Sequence, residues 1–222
     1  MITKETPRRL DPQKIVDSAL VLADEEGTAA VTLRRLAQLH GVTPMALYRH
    51  FKDKDDLLAA LGDRLIANVA LPEPTDEPWD KQLHTVLTAF VTALRLHPRL
   101  ADLTLLRMLV SDEGLQISER LLEILTEGGF DVDDAAEVGR QSVCTLISLV
   151  TTDPLTREDN DPVKREDSLR MKRAALGALS PHKYPLVTAA ADTLVCPSSN
   201  DRYYELGIEL VVAGICGVLN KE

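Results

Sequence analysis

The sequence predicts an all-α fold: an N-terminal three-helix unit containing a helix-turn-helix, joined by a further helix to a larger helical unit. Three observations lead there. Apolar residues recur at helical spacing through most of the chain. Capping residues, prolines and glycines fall at the ends of those runs. Alternating apolar and polar stretches bounded by hairpin turns are not evident.

The first helix is expected over residues 11–27, with Asp11 as cap, Pro12 at the first helical position and Ile15, Val16, Ala19, Leu20 and Ala23 on one apolar face before Gly27. A shorter helix over 32–39 is capped by Thr32 and turns Leu33, Leu36 and Ala37 inward. Gly41 breaks the chain, and Thr43 and Pro44 restart it as a third helix reaching Phe51. A fourth helix opens near Asp53, where Asp55 and Asp56 suit the helix dipole, and runs through Leu57, Leu61, Leu65 and Val69 to the Pro72/Pro74 break. Further helices are expected near 78–96, 99–109, 112–127, 132–152, 185–195 and 201–219. The stretch 152–173 is dense in charge and contains Pro154 and Pro162, so it reads as a solvated, mobile connection.

Composition narrows the partners. The 222 residues are 45% hydrophobic and 27% charged, an ordinary globular balance of one large or two small domains. No apolar run is long enough to span a bilayer, and residues 1–10 do not read as a secretory signal, so a cytoplasmic protein is expected. The cysteines Cys144, Cys196 and Cys216 are odd in number and far apart, as reduced thiols would be. Five histidines show no metal-ligand spacing, and Asp131, Asp133 and Asp134 read as an acidic helix start rather than half a calcium loop. No cofactor or metal is expected.

The net charge of −10 argues against nucleic acid, yet residues 1–54 hold nine Lys/Arg against seven Asp/Glu. An end that is locally basic on an acidic chain points to a polyanion contact confined to that end. The same segment carries two short helices joined by a turn with glycine, the arrangement whose second helix enters the major groove. Leu36, Ala37, Val42, Leu47 and Phe51 can bury that pair against the first helix. Thr43, Pro44, Met45, Tyr48 and Arg49 are then left outside, a surface suited to base edges, thymine methyls and phosphates. Lys52 and Lys54 follow, placed to meet the DNA backbone. A helix-turn-helix corner also occurs in purely structural domains, so the competing reading is a helical small-molecule-binding protein or enzyme with a non-functional corner. No phosphate loop, nucleophile elbow or Cys/His couple supports catalysis.

The order of capped helix, Gly27, Thr-x-Arg-x-Leu-Ala from Thr32, Gly41-Val42, Ala46-Leu-Tyr-x-His-Phe-x-x-Lys54 and Leu57-Leu58 resembles the TetR family of bacterial transcriptional regulators. The later helices, Trp79 and the closing Tyr203-Tyr-Glu-Leu-Gly-Ile-Glu-Leu-Val-Val-Ala-Gly-Ile-Cys-Gly217 look like its tetracycline-repressor branch. The resemblance implies a dimer in which residues 1–54, with a short N-terminal arm, bind double-stranded operator DNA and residues 55–222 bind an effector and dimerise. By motif position it implies DNA contacts from Arg34, Thr43, Pro44, Met45, Tyr48, His50 and Lys54, to which the exposed-face argument adds Arg49. His50 could instead be a hydrogen-bonded structural histidine. At positions where that branch holds magnesium-chelated tetracycline, this chain has Ala70, Val86, Thr104 and Arg107, with Phe90 retained, which implies a different ligand.

The last helix carries Gly207, Val211, Gly214 and Val218 at four, three and four residues, with Leu210 and Gly217 alongside, so another helix can approach closely. Its expected cover is helix 132–152, through Val138, Val143 and Ile147, and the same pair from a second copy in an intermolecular four-helix bundle. Periodicity alone does not say which chain supplies that cover. An effector cavity is expected within helices 78–152, walled by Leu83, Val86, Leu87, Phe90, Leu103, Leu106 and Met108, with Thr104, Arg107, Gln141 and Thr145 as polar anchors. Such a lining suits a small, largely apolar effector.

Overall fold

The computed structural model describes residues 11–154, 162–196 and 199–220. The expected N-terminal arm and residues 155–161 of the expected connection lie outside them. All regular structure among the described residues is helical: α1 (Pro12–Glu26), α2 (Leu33–Leu39), α3 (Pro44–Leu47), α4 (Lys54–Ala67), α5 (Trp79–Leu94), a 3-10 turn at Ala101–Thr104, α6 (Asp112–Gly128), α7 (Val132–Thr151), α8 (Pro162–Gly177), α9 (Pro185–Ala189), α10 (Ala191–Val195) and α11 (Asn200–Leu219).

The caps set these boundaries. Asp11 accepts from the Gln13 amide, Thr32 from Arg35, Asp53 from Asp56 and Asp131 from Asp134, each satisfying an amide left unpaired at a helix start and contributing about 1 kcal/mol. Between α2 and α3 the chain turns at Gly41 with φ 64°, a left-handed conformation that glycine adopts without steric cost. The helix expected up to Phe51 ends early. The Leu47 carbonyl accepts from both His50 (2.8 Å) and Phe51 (2.9 Å), which tightens residues 48–50 into turns.

α1 packs on α2 and α4, α3 packs on α2, and one apolar core runs from Ile15 through Phe90 and Leu146 to Ile215. α5, α6, α7 and α11 pack on one another around it. Polar groups pin the joints. Arg120, buried on α6, donates to the Gln82 side chain at 2.5 Å, and Gln82 in turn donates to the Glu77 carbonyl at 2.8 Å, fastening the segment ahead of α5. On α11, Tyr203 donates to the Leu149 carbonyl at 3.1 Å and Tyr204 to the buried Asp153 carboxylate at 2.7 Å.

Three further elements depart from expectation. The 99–109 helix is only a 3-10 turn followed by further turns, because its backbone lies against two glycines: a Cβ on Gly62 would stand 2.9 Å from the Leu103 carbonyl oxygen, and one on Gly114 would stand 2.7 Å from the oxygens of Arg107 and Met108. Tertiary contact overrides helical propensity there. Within 152–173, residues from Pro162 onward form α8; its Lys, Arg, Ala and Leu are good helix formers, and Leu169 is buried while α9 and α10 pack on the same helix. The expected 185–195 helix is broken into α9 and α10 at Ala190.

Burial, then the Asp153 carboxylate beside it, holds the Tyr204 phenol protonated well above the ordinary tyrosine range. Replacing Tyr204 by Phe leaves a buried carboxylate short of a donor and should cost about 1–3 kcal/mol at neutral pH. Ionisation of this phenol is disfavoured only in the folded state, so its contribution is constant below about pH 10 and is lost as pH rises further. Thermal melts should show wild-type protein losing more stability than Tyr204→Phe above that pH; parallel losses would refute the assignment.

Candidate functional site

The corner formed by α2 and α3 is fixed from below. Leu36, Ala37, Leu47 and Phe51 are buried, and Val42 packs against them. This leaves a solvent face of unusual composition: Met45 is 69% exposed and Tyr48 53% exposed. Arg34, Thr43, Pro44, Arg49 and His50 are exposed around them. The Thr43 side chain makes no capping bond, so its hydroxyl stays available to a ligand. Lys54 is the exception. It is half-buried, and its ammonium donates to the Thr28 carbonyl at 2.9 Å, which commits one of its three donors within the chain.

A second feature lies between α6, α7 and residues 105–109: a cavity of about 620 Å³ walled by Leu105, Met108, Leu109, Leu121, Leu122 and Val143, with Ser118, Glu137, Arg140 and Cys144 also reaching it. Of the expected cavity residues only Met108 lies on this wall. Leu83, Val86, Leu87 and Phe90 are at most 2% exposed and belong to the solid core beneath α5. Thr104 is fully buried with its hydroxyl on the Ala101 carbonyl, while Leu106 is 78% exposed. Leu103 is half-buried beside Gly62, and Arg107 is held by Asp63. Gln141 and Thr145 face elsewhere, into the groove between α7 and α11. These positions shift because the chain turns after Thr104, which rotates Leu105 and Leu109 toward α6 where a continuous helix would have presented other residues. Leu121 and Leu122 carry no separate signal in the sequence, because a buried core stripe and a cavity wall have the same helical period.

The cavity wall and α4 share one segment. Arg107 donates to Asp63 twice, from Nε at 2.6 Å and from Nη2 at 3.1 Å, a bidentate pair that also raises the guanidinium pKa further. At Gly62 any Cβ would lie 2.8 Å from the Arg107 Cγ, so only glycine lets α4 approach this closely. α4 is tied in turn to α1 through Arg64–Asp17 (3.2 Å), and His97, after α5, meets Asp24 near the end of α1 at 2.6 Å.

The third feature is the open groove of about 770 Å³ along α7 and α11, lined by Val138, Leu149, Gly207, Leu210, Val211, Gly214 and Val218. Leu210 is 64% and Val218 45% exposed, and Gly214 and Gly217 are also exposed. Val143 and Ile147 do not belong to this face. At 6% and 5% exposure they are inside the chain's own core, because α7 turns the row containing Gly139, Val143, Leu146 and Val150 toward α5 and α6.

Residues 15–61 match the family model of the bacterial regulatory proteins of the tetR family, and residues 71–219 match that of the tetracyclin repressor-like C-terminal domain. The chain belongs to the TetR family. Among TetR-family relatives, it is 27% identical over 174 residues to an HTH-type transcriptional regulator of Saccharopolyspora erythraea, covering 77% of this chain and 74% of that one. To the class A tetracycline repressor protein from transposon 1721 of Escherichia coli it is 25% identical over 217 residues, covering 93% and 91%. The crystal structure of the TetR family protein ActR of Streptomyces coelicolor in complex with actinorhodin is similar with a TM-score of 0.76 and 26% identity, covering 95% of this chain and 98% of that one. The chain is a helix-turn-helix transcriptional regulator of this family.

Gly62→Val should force α4 away from Arg107 and Leu103, costing about 1–3 kcal/mol and lowering Tm by roughly 2–10 °C. A melt at the wild-type temperature would show that the close approach carries no stability.

Proposed function

We propose that this TetR-family chain is a cytoplasmic homodimeric repressor, released from its operator by a small, largely apolar effector. Residues 1–54 serve as the DNA-binding unit and residues 55–222 as the effector-binding and dimerisation unit. The observation that carries the reading is the continuity of one segment: Leu105, Met108 and Leu109 line the cavity, while Leu103 and Arg107 of the same turns grip α4 at Gly62 and Asp63.

Two copies joined along the α7–α11 groove form an intermolecular four-helix bundle, with Gly214 open to close helix approach, Leu210 and Val218 gaining cover, and Gly207 instead seating the chain's own Leu149. Each copy then offers the Met45–Tyr48 face to successive major grooves about 34–36 Å apart. Tyr48 and Met45 meet base edges and thymine methyls. Arg34, Thr43, Pro44, Arg49 and His50 surround them at bases and phosphates, and Lys54 reaches a phosphate with the donors Thr28 leaves free. An occupied cavity displaces residues 101–110, α4 follows through its clamp, and the spacing of the two faces no longer fits the duplex. Allosteric couplings typically amount to about 1–3 kcal/mol.

Fluorescence anisotropy against DNA from the protein's own upstream region tests the reading. Wild-type protein should bind as a dimer. Tyr48→Ala should bind at least about tenfold more weakly with an unchanged melting temperature. Lys54→Ala should lower the salt slope by about one. Leu210→Glu should yield monomers that lose the operator. Equal binding by Tyr48→Ala, or a folded dimer of Leu210→Glu, would contradict the assignments.

A further inference from the structure

The cavity is aliphatic on most of its wall, but it also carries a guanidinium that no ion pair engages among the described residues. Arg140 projects from α7 beside Val143 and Cys144, is exposed, and makes no hydrogen bond or ion pair among the described residues. Most other arginines of α4–α7 and α11 are engaged: Arg64 with Asp17, Arg95 with Asp201, Arg107 with Asp63, Arg120 with Gln82 and Glu123, and Arg202 with Glu205. Glu137, three residues before Arg140, also reaches the cavity and is not bonded to it.

A guanidinium offers a planar fork of donors that matches a carboxylate, and such charge-assisted pairs are about twice as strong as neutral ones. Beside an apolar wall the pair is screened less than it would be in open water. The space is that of a drug-sized molecule. Glu137 opposes a second negative charge nearby and can accept from a ligand hydroxyl. We propose that the effector is an amphipathic monocarboxylate, its acid paired with Arg140 and its apolar body packed among Leu105, Met108, Leu121 and Leu122. This rests on the reading of the cavity as the effector site and names the ligand chemistry that site selects.

The test compares two fluorescent probes of equal shape, anthracene-2-carboxylate and the neutral anthracene-2-carboxamide, titrated against the full chain. The carboxylate should bind about tenfold more tightly than the amide. Arg140→Gln, at an exposed position, should erase the preference by weakening the carboxylate to about the amide's affinity. Equal affinities in wild-type protein, a preference that survives Arg140→Gln, or binding of neither probe would overturn the inference. Adding operator DNA separates it from the reading beneath it: a carboxylate that binds through Arg140 without releasing DNA upholds the ligand chemistry and contradicts the effector role.

Discussion

The close approach of α4 to the turns at 101–107 is the constraint on which the rest depends. A glycine at 62 removes the side chain that would otherwise hold the two apart, and the Arg107–Asp63 pair then fixes their register. α4 also packs on α1 and pairs with it through Arg64–Asp17, so residues 101–107 are joined through α4 to the helical unit that carries Tyr48.

The same close approach explains a local irregularity. A regular helix over 99–109 would satisfy more backbone groups within itself, but it would not lie flat against both Gly62 and Gly114. The chain adopts turns instead, with the buried Thr104 hydroxyl bonded to the Ala101 carbonyl at 2.6 Å.

Legibility in the sequence followed the range of the forces involved. Helix starts governed by a single side chain, such as Asp11, Thr32, Asp53 and Asp131, could be read directly, and so could the Gly41 turn with the exposed pair Met45 and Tyr48. Whatever depended on distant packing could not. Thr43 looks like a cap but accepts no bond. The charge of 152–173 obscured a helix from Pro162 that is held by contacts with the short helices α9 and α10 following it. Leu83, Val86, Leu87 and Phe90 have the composition of a ligand wall, yet they are packed into the core, while a cavity of about 620 Å³ opens between α6, α7 and the turns after Thr104. On α7 the sequence assigns Val138, Val143 and Ile147 alike to the seam with α11; Val138 borders that groove, whereas Val143 and Ile147 face inward, a difference that periodicity does not show.

The direct measurement is the operator affinity of Leu122→Trp, alone and combined with Asp63→Asn. The larger ring occupies the cavity permanently, at a site remote in sequence from the Tyr48 face. If cavity and α4 move as one, the folded Leu122→Trp dimer binds operator at least about fivefold more weakly than wild type, and Asp63→Asn, by loosening the clamp, restores much of that loss. Wild-type affinity in the folded Leu122→Trp dimer, or a loss that Asp63→Asn leaves untouched, would contradict the coupling.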